Sequence, residues 1–190
     1  MDIKIEKISK NILELGLAAL SHANSLAAYY NEANDKWEEL AIIQAAHAAE
    51  LLIKSKIAEV HPLLIFSDLP KVFKTITGCN FINQSLFKKF GKIRNSLQHF
   101  GIFPNKDTVS PSLETLRFIY SFIDPFINEH WNLCAIDYDE NNDSYKHLPI
   151  TLINYEIEFI VSEEAAKYSH LWKEALCQCS EEYQKKWKEK

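Results

Sequence analysis

Glycine is so scarce in this chain that most β architectures are closed to it: four of 190 residues are Gly and six are Pro. A sandwich or barrel needs a turn about every 8–12 residues, usually built on Gly, Pro or Asn. Long helices need far fewer. The expected fold class is therefore all-α, and the apolar fraction of 47% is enough for one sizeable core in a single domain.

The N-terminal MDIKIEKISK alternates charged with apolar residues and offers no uninterrupted apolar stretch of the signal-peptide kind. The most apolar window, Ala41 to Ile53, is broken by Gln44, His47 and Glu50, well short of the ~20 apolar residues of a spanning helix. The reading is a cytoplasmic protein with no membrane partner. Cys79, Cys134, Cys177 and Cys179 form no CxxC pair and have no His at zinc-finger spacing, so reduced thiols are expected rather than disulfides or a structural zinc.

Ile5, Ile8, Ile12, Leu15, Ala19, Leu26 and Tyr30 recur at spacings of three, four and seven and predict a first helix from Ile3 to Tyr30, with these residues as its apolar side. A turn at Asn31 to Asp35 follows, with Asp35 as candidate N-cap of a helix from Lys36 to about Val60, stopped by His61-Pro62. Leu63 to Pro70 reads as loop, and Lys71 to Thr77 as a short helix closed by Gly78. Asn83 or Ser85 begins the next helix, whose stripe Leu86, Phe90, Ile93, Leu97 and Phe100 predicts a buried face ending at Gly101. Asn105 to Ser110 is loop, and Ser110 with Pro111 starts a helix to about Trp131.

Beyond Cys134 the pattern weakens. Asp137 to Asp143 is acidic and Asn-rich, and Ile150 to Val161 alternates in part, as a strand or a helix start would. Ser162 to the end predicts one amphipathic helix with Ala165, Tyr168, Leu171, Trp172, Leu176 and Tyr183 on its apolar side. Residues 1–131 are expected to form the core bundle and 132–190 a C-terminal extension.

The net charge of −5 hides an asymmetry. Residues 69–106 hold Lys71, Lys74, Lys88, Lys89, Lys92, Arg94 and Lys106 and no Asp or Glu, which leaves −12 on the remainder. Seven cations without compensating acids repel one another unless a polyanion neutralises them. Within this segment, Leu86, Phe90, Ile93, Leu97 and Phe100 fall on one side of a helical wheel, and Arg94, Asn95, Gln98 and His99 on the other. Asn95 lies one i,i+4 step before His99, and Lys88 shares their flank. Gly91 lies on the same face, where a missing side chain weakens a helix by about 0.5–1 kcal/mol but permits close approach.

This set suits a phosphodiester. Arginine offers a planar fork of donors to phosphate oxygens, asparagine a neutral donor and acceptor, and histidine a group that exchanges protons near neutrality. A base that removes a ribose 2′-hydroxyl proton, with cations stabilising the charged transition state, is the chemistry of RNA cleavage. The bare spacing recurs by chance in a chain with two arginines and seven histidines. The context adds to it: the polar residue after the arginine, the apolar opposite face, the glycine stop and the acid-free surroundings.

On Arg94, Asn95 and His99 the sequence resembles the HEPN family, whose ribonuclease members carry Arg, then a polar residue, then His, with four to six intervening positions and here four. Trp37 through Ile65, containing Ala46-His47-Ala48-Ala49-Glu50-Leu51-Leu52-Ile53-Lys54 and His61-Pro62-Leu63-Leu64, also resembles the second long helix and following loop of bacterial HEPN proteins. The resemblance covers about residues 1–131. It implies an antiparallel helical bundle that forms a homodimer with two motifs facing one cleft. It also implies metal-independent endoribonuclease activity of the toxin or antiviral-defence type, without a cofactor. Arg94 and His99 would be the catalytic pair and Asn95 their polar neighbour, with Lys88, Lys89, Lys92 and Gln98 contacting RNA. Nothing in the chain resembles the combined Gly-Ser and Asp-x-Asp signature of the nucleotidyltransferases that accompany such toxins, so any antitoxin would be a separate protein. The second reading is a non-catalytic helical module that binds RNA, a nucleotide or a protein partner.

Glu50 and Lys54 are an i,i+4 pair with His47 one turn earlier. They read either as supports of the cleft or as an ion pair that orients the second helix. Asp137, Asp139, Asn141 and Asp143 imitate the start of a calcium loop, but Asn142 and Leu148 stand where Gly and Glu are needed, and His130 and His147 lack partners at ligand spacing. No metal is expected. Of the aromatics that interleave with the basic residues (Phe81, Phe87, Phe90, Phe100 and Phe103), Phe90 and Phe100 are assigned to the core, and Phe87 and Phe103 are the candidate base-stacking platforms.

Overall fold

The computed structural model describes residues 2–29, 34–66, 68–80, 83–103, 110–141 and 144–188, and within them the chain is helical with no strand. Tyr30 to Ala33, Phe81, Asn105 to Val109 with Lys106, and Asn142 with Asp143, all named above, lie outside the described residues. No described helix is long and apolar enough to cross a membrane.

The first two helices, α1 (Asp2–Ala28) and α2 (Trp37–Ala58), form an antiparallel hairpin. Ser9 and Ser55 lock one end, each hydroxyl donating to the other's carbonyl at 3.2 and 2.9 Å. Further along, a Cβ on Gly16 would lie 3.1 Å from Leu52. The contact face carries small residues where the fit is tightest, Gly16 leaving room for the Leu52 side chain. The large apolar stripe expected to be buried is therefore displaced to one side: Leu15 is 60% exposed and Ile8 39%, while Ser9, Gly16, Leu20, Ala23, Asn24 and Ala27 are buried. The start of α2 also differs. Asn34, not Asp35, makes the turn, its side-chain oxygen accepting from the Lys36 N–H at 2.9 Å, and α2 begins without a side-chain cap.

Ala41, Ile42, Ala45, Ala48, Ala49, Leu52 and Ile53 are all buried, so α2 is apolar nearly all round, as a central helix must be. It packs against α1, α4 (Gln84–Phe100) and α5 (Pro111–Phe118). A 3₁₀ turn, Pro62–Phe66, takes part of the expected loop, and α3 (Leu69–Thr77) follows. Asp68 caps α3 by accepting from Lys71 N–H, and Gly78 ends it at φ 75°.

Helix α5 begins as expected, with Ser110 accepting from Leu113 N–H and Pro111 in the first turn. It continues through a π turn, Ile119–Ile123, into α6 (Asp124–Trp131). Pro125 lies just past that turn and has no N–H to offer the Ser121 carbonyl four residues back. The Ser121 carbonyl accepts instead from the side-chain amide of Asn83, the residue that precedes α4, at 2.7 Å. Ring stacking seals α4 against this helix, with Phe90 on Phe118 at 3.9 Å and Phe87 on Phe122 at 5.3 Å. Phe87 and Phe103 are thus packing residues rather than base platforms: Phe87 is half-buried in the stack and Phe103 is buried.

The C-terminal extension is tied to the bundle by two buried polar side chains. Asp124 accepts from Ala135 N–H at 2.7 Å and Ile160 N–H at 2.8 Å, one oxygen for each. Asn24 donates to the carbonyls of Ala135 and Tyr138 and accepts from the Tyr120 hydroxyl. After a 3₁₀ turn, Ala135–Asp137, come α7 (Ser144–Asn154), α8 (Glu163–Ala166), a 3₁₀ turn at Ser169–Leu171, α9 (Lys173–Gln178) and α10 (Glu181–Lys188). The alternating stretch is neither a strand nor a helix start. Helix α7 covers its first part, and 157–161 belongs to no helix or strand, with Ile157 and Phe159 buried and its backbone held by Asp124 and by the Tyr183 hydroxyl on Ile157 O. The single terminal helix is also corrected to several short ones. Trp172, wholly buried with its indole N–H donating to Tyr145 O at 2.9 Å, stands where the 3₁₀ turn gives way to α9, and a second break follows at Cys179, which is extended. Leu171 is left 40% exposed.

Candidate functional site

Helix α4 carries the basic residues because its apolar side is claimed by neighbours: Phe90, Ile93 and Leu97 are buried. It stops at Gly101, which adopts φ 65° and donates its N–H to Leu97 O at 2.9 Å. Lys88, Lys92, Asn95 and His99 are exposed and follow one another at spacings of four, three and four, one straight stripe about 16 Å long. Lys88, Lys92, Gln98 and His99 have no hydrogen-bond or ion-pair partner among the described residues. Lys89 departs from the stripe, turning toward α5 to meet Glu114 at 3.0 Å.

Arg94 stands at the edge between this stripe and α2. Its Nη1 donates to Glu50 Oε2 at 3.2 Å and its Nε to Asn95 Oδ1 at 3.0 Å. The other Glu50 oxygen accepts from Lys54 Nζ at 2.6 Å. A guanidinium has five N–H donors, so two fix its plane, and three have no partner among the described residues and are open to an incoming anion. Burial by itself raises the Glu50 carboxyl, but its hydrogen bonds and charge pairs with Lys54 and Arg94 outweigh that and hold it below the usual carboxylate range. Lys54, Glu50 and Arg94 together carry one net positive charge.

Beside this trio lies a small cleft of about 30 Å³ lined by Ala46, Glu50, Phe87, Phe90, Gly91, Arg94 and Phe118, room for about one water. Gly91 forms part of its open wall. A Cβ there would meet nothing within 4 Å, so no contact inside the chain requires the glycine.

The structure thus brings Arg94, Asn95, Glu50 and Lys54 together and sets Lys88, Lys92 and His99 along the adjoining face. His47 stands exposed on α2, without a hydrogen-bond or ion-pair partner among the described residues. Two features escape sequence reasoning. Glu114 arrives from outside the acid-free segment, and Phe100, placed in the core by its wheel position, is 75% exposed with its ring edge-on to His99 at 6.3 Å between centroids.

Comparison with protein-family models, curated proteins and solved structures finds no match. Among the described residues no group of three or more His, Cys, Asp or Glu side chains is arranged to hold a metal ion. Tyr145 and Ser162 donate to Asp137 and Tyr29 to Asp139, two of the residues that imitate a calcium loop.

Proposed function

We infer that the chain is a HEPN-type, metal-independent endoribonuclease that acts as a homodimer. The observation that carries this reading is the arrangement around Arg94. The guanidinium is oriented by Glu50 and Asn95 and keeps donors in reserve, on the same helix as an exposed histidine and two lysines without anionic partners. In this reaction His99 takes the proton of a ribose 2′-hydroxyl, whose oxygen attacks the adjacent phosphorus. The bond from phosphorus to the 5′-oxygen breaks, that oxygen takes a proton from solvent, and a 2′,3′-cyclic phosphate remains. Arg94 donates to the phosphate oxygens that gain charge, while Lys88 and Lys92 hold flanking phosphates. One motif per chain supplies half of a paired cationic site, and the open backbone at Gly91 supports close approach of a second copy. A toxin or defence role, restrained by a separate antitoxin, follows from the same reading.

The alternative is a non-catalytic module that binds RNA, a nucleotide or a protein. It is favoured by one observation: no described side chain hydrogen-bonds the His99 ring to orient it as a base. Purified protein incubated with mixed RNA in excess EDTA separates the two. The nuclease reading expects fragments ending in 2′,3′-cyclic phosphate, and a loss of about 10²–10⁴-fold in rate for His99→Ala and for Arg94→Ala with helicity intact. No cleavage at any protein concentration would leave the binding module.

A further inference from the structure

We propose that the Phe100 ring is a stacking platform for an unpaired base, and that the α4 face therefore selects single-stranded nucleic acid. The inference rests on the RNA reading above and adds what distinguishes one strand from another.

Phe100 shares its side of α4 with Ile93 and Leu97, which are 8% and 7% exposed, yet Phe100 itself is 75% exposed. The chain turns at Gly101, and it is Phe103, 7% exposed, that enters the core. Phe100 is thus left exposed at the helix end, and Ile102 just past the turn is 60% exposed.

Charge identifies the occupant. Helix α4 has no Asp or Glu anywhere along it, and Lys88, Lys92, Asn95 and His99 lead along the helix to the turn that carries Phe100. Phe100 stands round the helix from that stripe but its ring is edge-on to His99 at 6.3 Å, so a strand with its phosphates over the cations reaches the ring past His99. Aromatic stacking needs an open base face, which a duplex keeps inside its own stack, and it tolerates any base because each has a π-face. With the Phe87 and Phe103 rings packed into the bundle, Phe100 alone among the described phenylalanines of the basic segment offers its face to solvent next to His99.

The test uses the full chain and an RNA oligomer with one central 2-aminopurine, single-stranded or annealed to its complement, followed by fluorescence, affinity and cleavage. Because the ring is exposed, Phe100→Ala should keep native helicity, which circular dichroism checks. Wild type should quench the 2-aminopurine and bind the single strand at least ten-fold more tightly than the duplex. Phe100→Ala should lose the quench and about 5- to 100-fold in affinity for the single strand, with Phe100→Trp restoring both. Unchanged binding and strand preference in Phe100→Ala would overturn the platform, and a simultaneous change in its light-scattering mass would assign the ring to a second copy of the chain. The two readings fail separately. Wild type that quenches through Phe100 without cutting keeps the platform and removes the nuclease. Wild type that cuts, with Phe100→Ala cutting single strand and duplex in the same ratio, does the reverse. No binding by wild type removes both.

Discussion

Glu50 on α2 and Arg94 on α4, 44 positions apart in sequence, meet with carboxylate oxygen and guanidinium nitrogen 3.2 Å apart. This contact sets the direction in which the arginine presents its remaining donors, and it links the stability of the bundle to pH. The Glu50 carboxyl ionises at lower pH in the folded chain than in the unfolded one. Its contribution is therefore present above about pH 4.3, the ordinary Glu value, and is lost as pH falls through the lowered value. Glu50→Gln should cost about 0.5–1 kcal/mol at pH 7, since all three side chains are a quarter to a third exposed. The gap between variant and wild type should close on acidification. Urea midpoints at pH 7 and pH 3.5 read this, and under the nuclease reading kcat/KM should fall about ten-fold or more as Arg94 loses its orientation.

Two glycines should respond in opposite ways to the same methyl group. At Gly91 an added Cβ meets nothing, so Gly91→Ala should stabilise the isolated chain by about 0.5–1 kcal/mol through helix propensity. If a second copy or an RNA strand approaches there, the same variant loses dimer or cleavage while gaining thermal midpoint. At Gly16 the Cβ would press on Leu52 at 3.1 Å, in an α1–α2 contact already pinned by Ser9 and Ser55. Leu52 is fully buried and has no free space to retreat into, so Gly16→Ala should lower stability by about 0.5–2 kcal/mol after the helix-propensity gain is set against the overpacking. Thermal denaturation and light scattering of the pair decide both.

Asp124 is fully buried and spends each of its two oxygens on a backbone N–H of the extension. Asp124→Asn keeps the shape but turns an NH₂ toward one of those donors, leaving it unsatisfied. A loss of about 2–4 kcal/mol in chemical denaturation is expected. Tryptophan fluorescence should report it, since Trp172 and Trp187 pack against Phe159 next to the Asp124-bound backbone.

The thiols should divide by environment. Burial, and to a smaller degree the charge of Asp124, push Cys134 up to about 11, so little thiolate forms at pH 8. Cys79 and Cys177 are exposed. Maleimide at pH 8 should label those two within minutes and Cys134 only in denaturant, read by mass spectrometry of peptides. Rapid native labelling of Cys134 would contradict its burial.

Sequence reasoning located features written in backbone chemistry. The Gly78 and Gly101 stops and the Ser110-Pro111 start need only local geometry, and each lies where expected. It failed where a neighbour decides. The packing face of α1 carries small residues where it fits α2 most tightly, so the larger stripe carrying Ile8 and Leu15 misled. Phe100 obeys the wheel of α4 but lies where the chain turns away at Gly101, and a wheel says nothing of where packing ends. The terminal helix looked continuous because its apolar period is intact, yet the chain breaks at Ser169–Leu171 and again at Cys179, where buried Trp172 and half-buried Cys179 bond to carbonyls of α7. Glu50 was legible as a partner of Lys54 on its own helix. Its reach to Arg94 depends on how two distant helices cross, which no local pattern contains.

The Pro125, Ser121 and Asn83 arrangement joins two helices at a point where one of them is irregular. A π turn is the natural place for a helix to flex, and here the carbonyl that the proline leaves without its usual donor is grasped by the residue at the head of α4. The irregular turn at Ile119–Ile123 is in this way tied to the end of α4 opposite His99, and Gly101 closes the other end. A proline on one helix thereby anchors the start of another, the basic one.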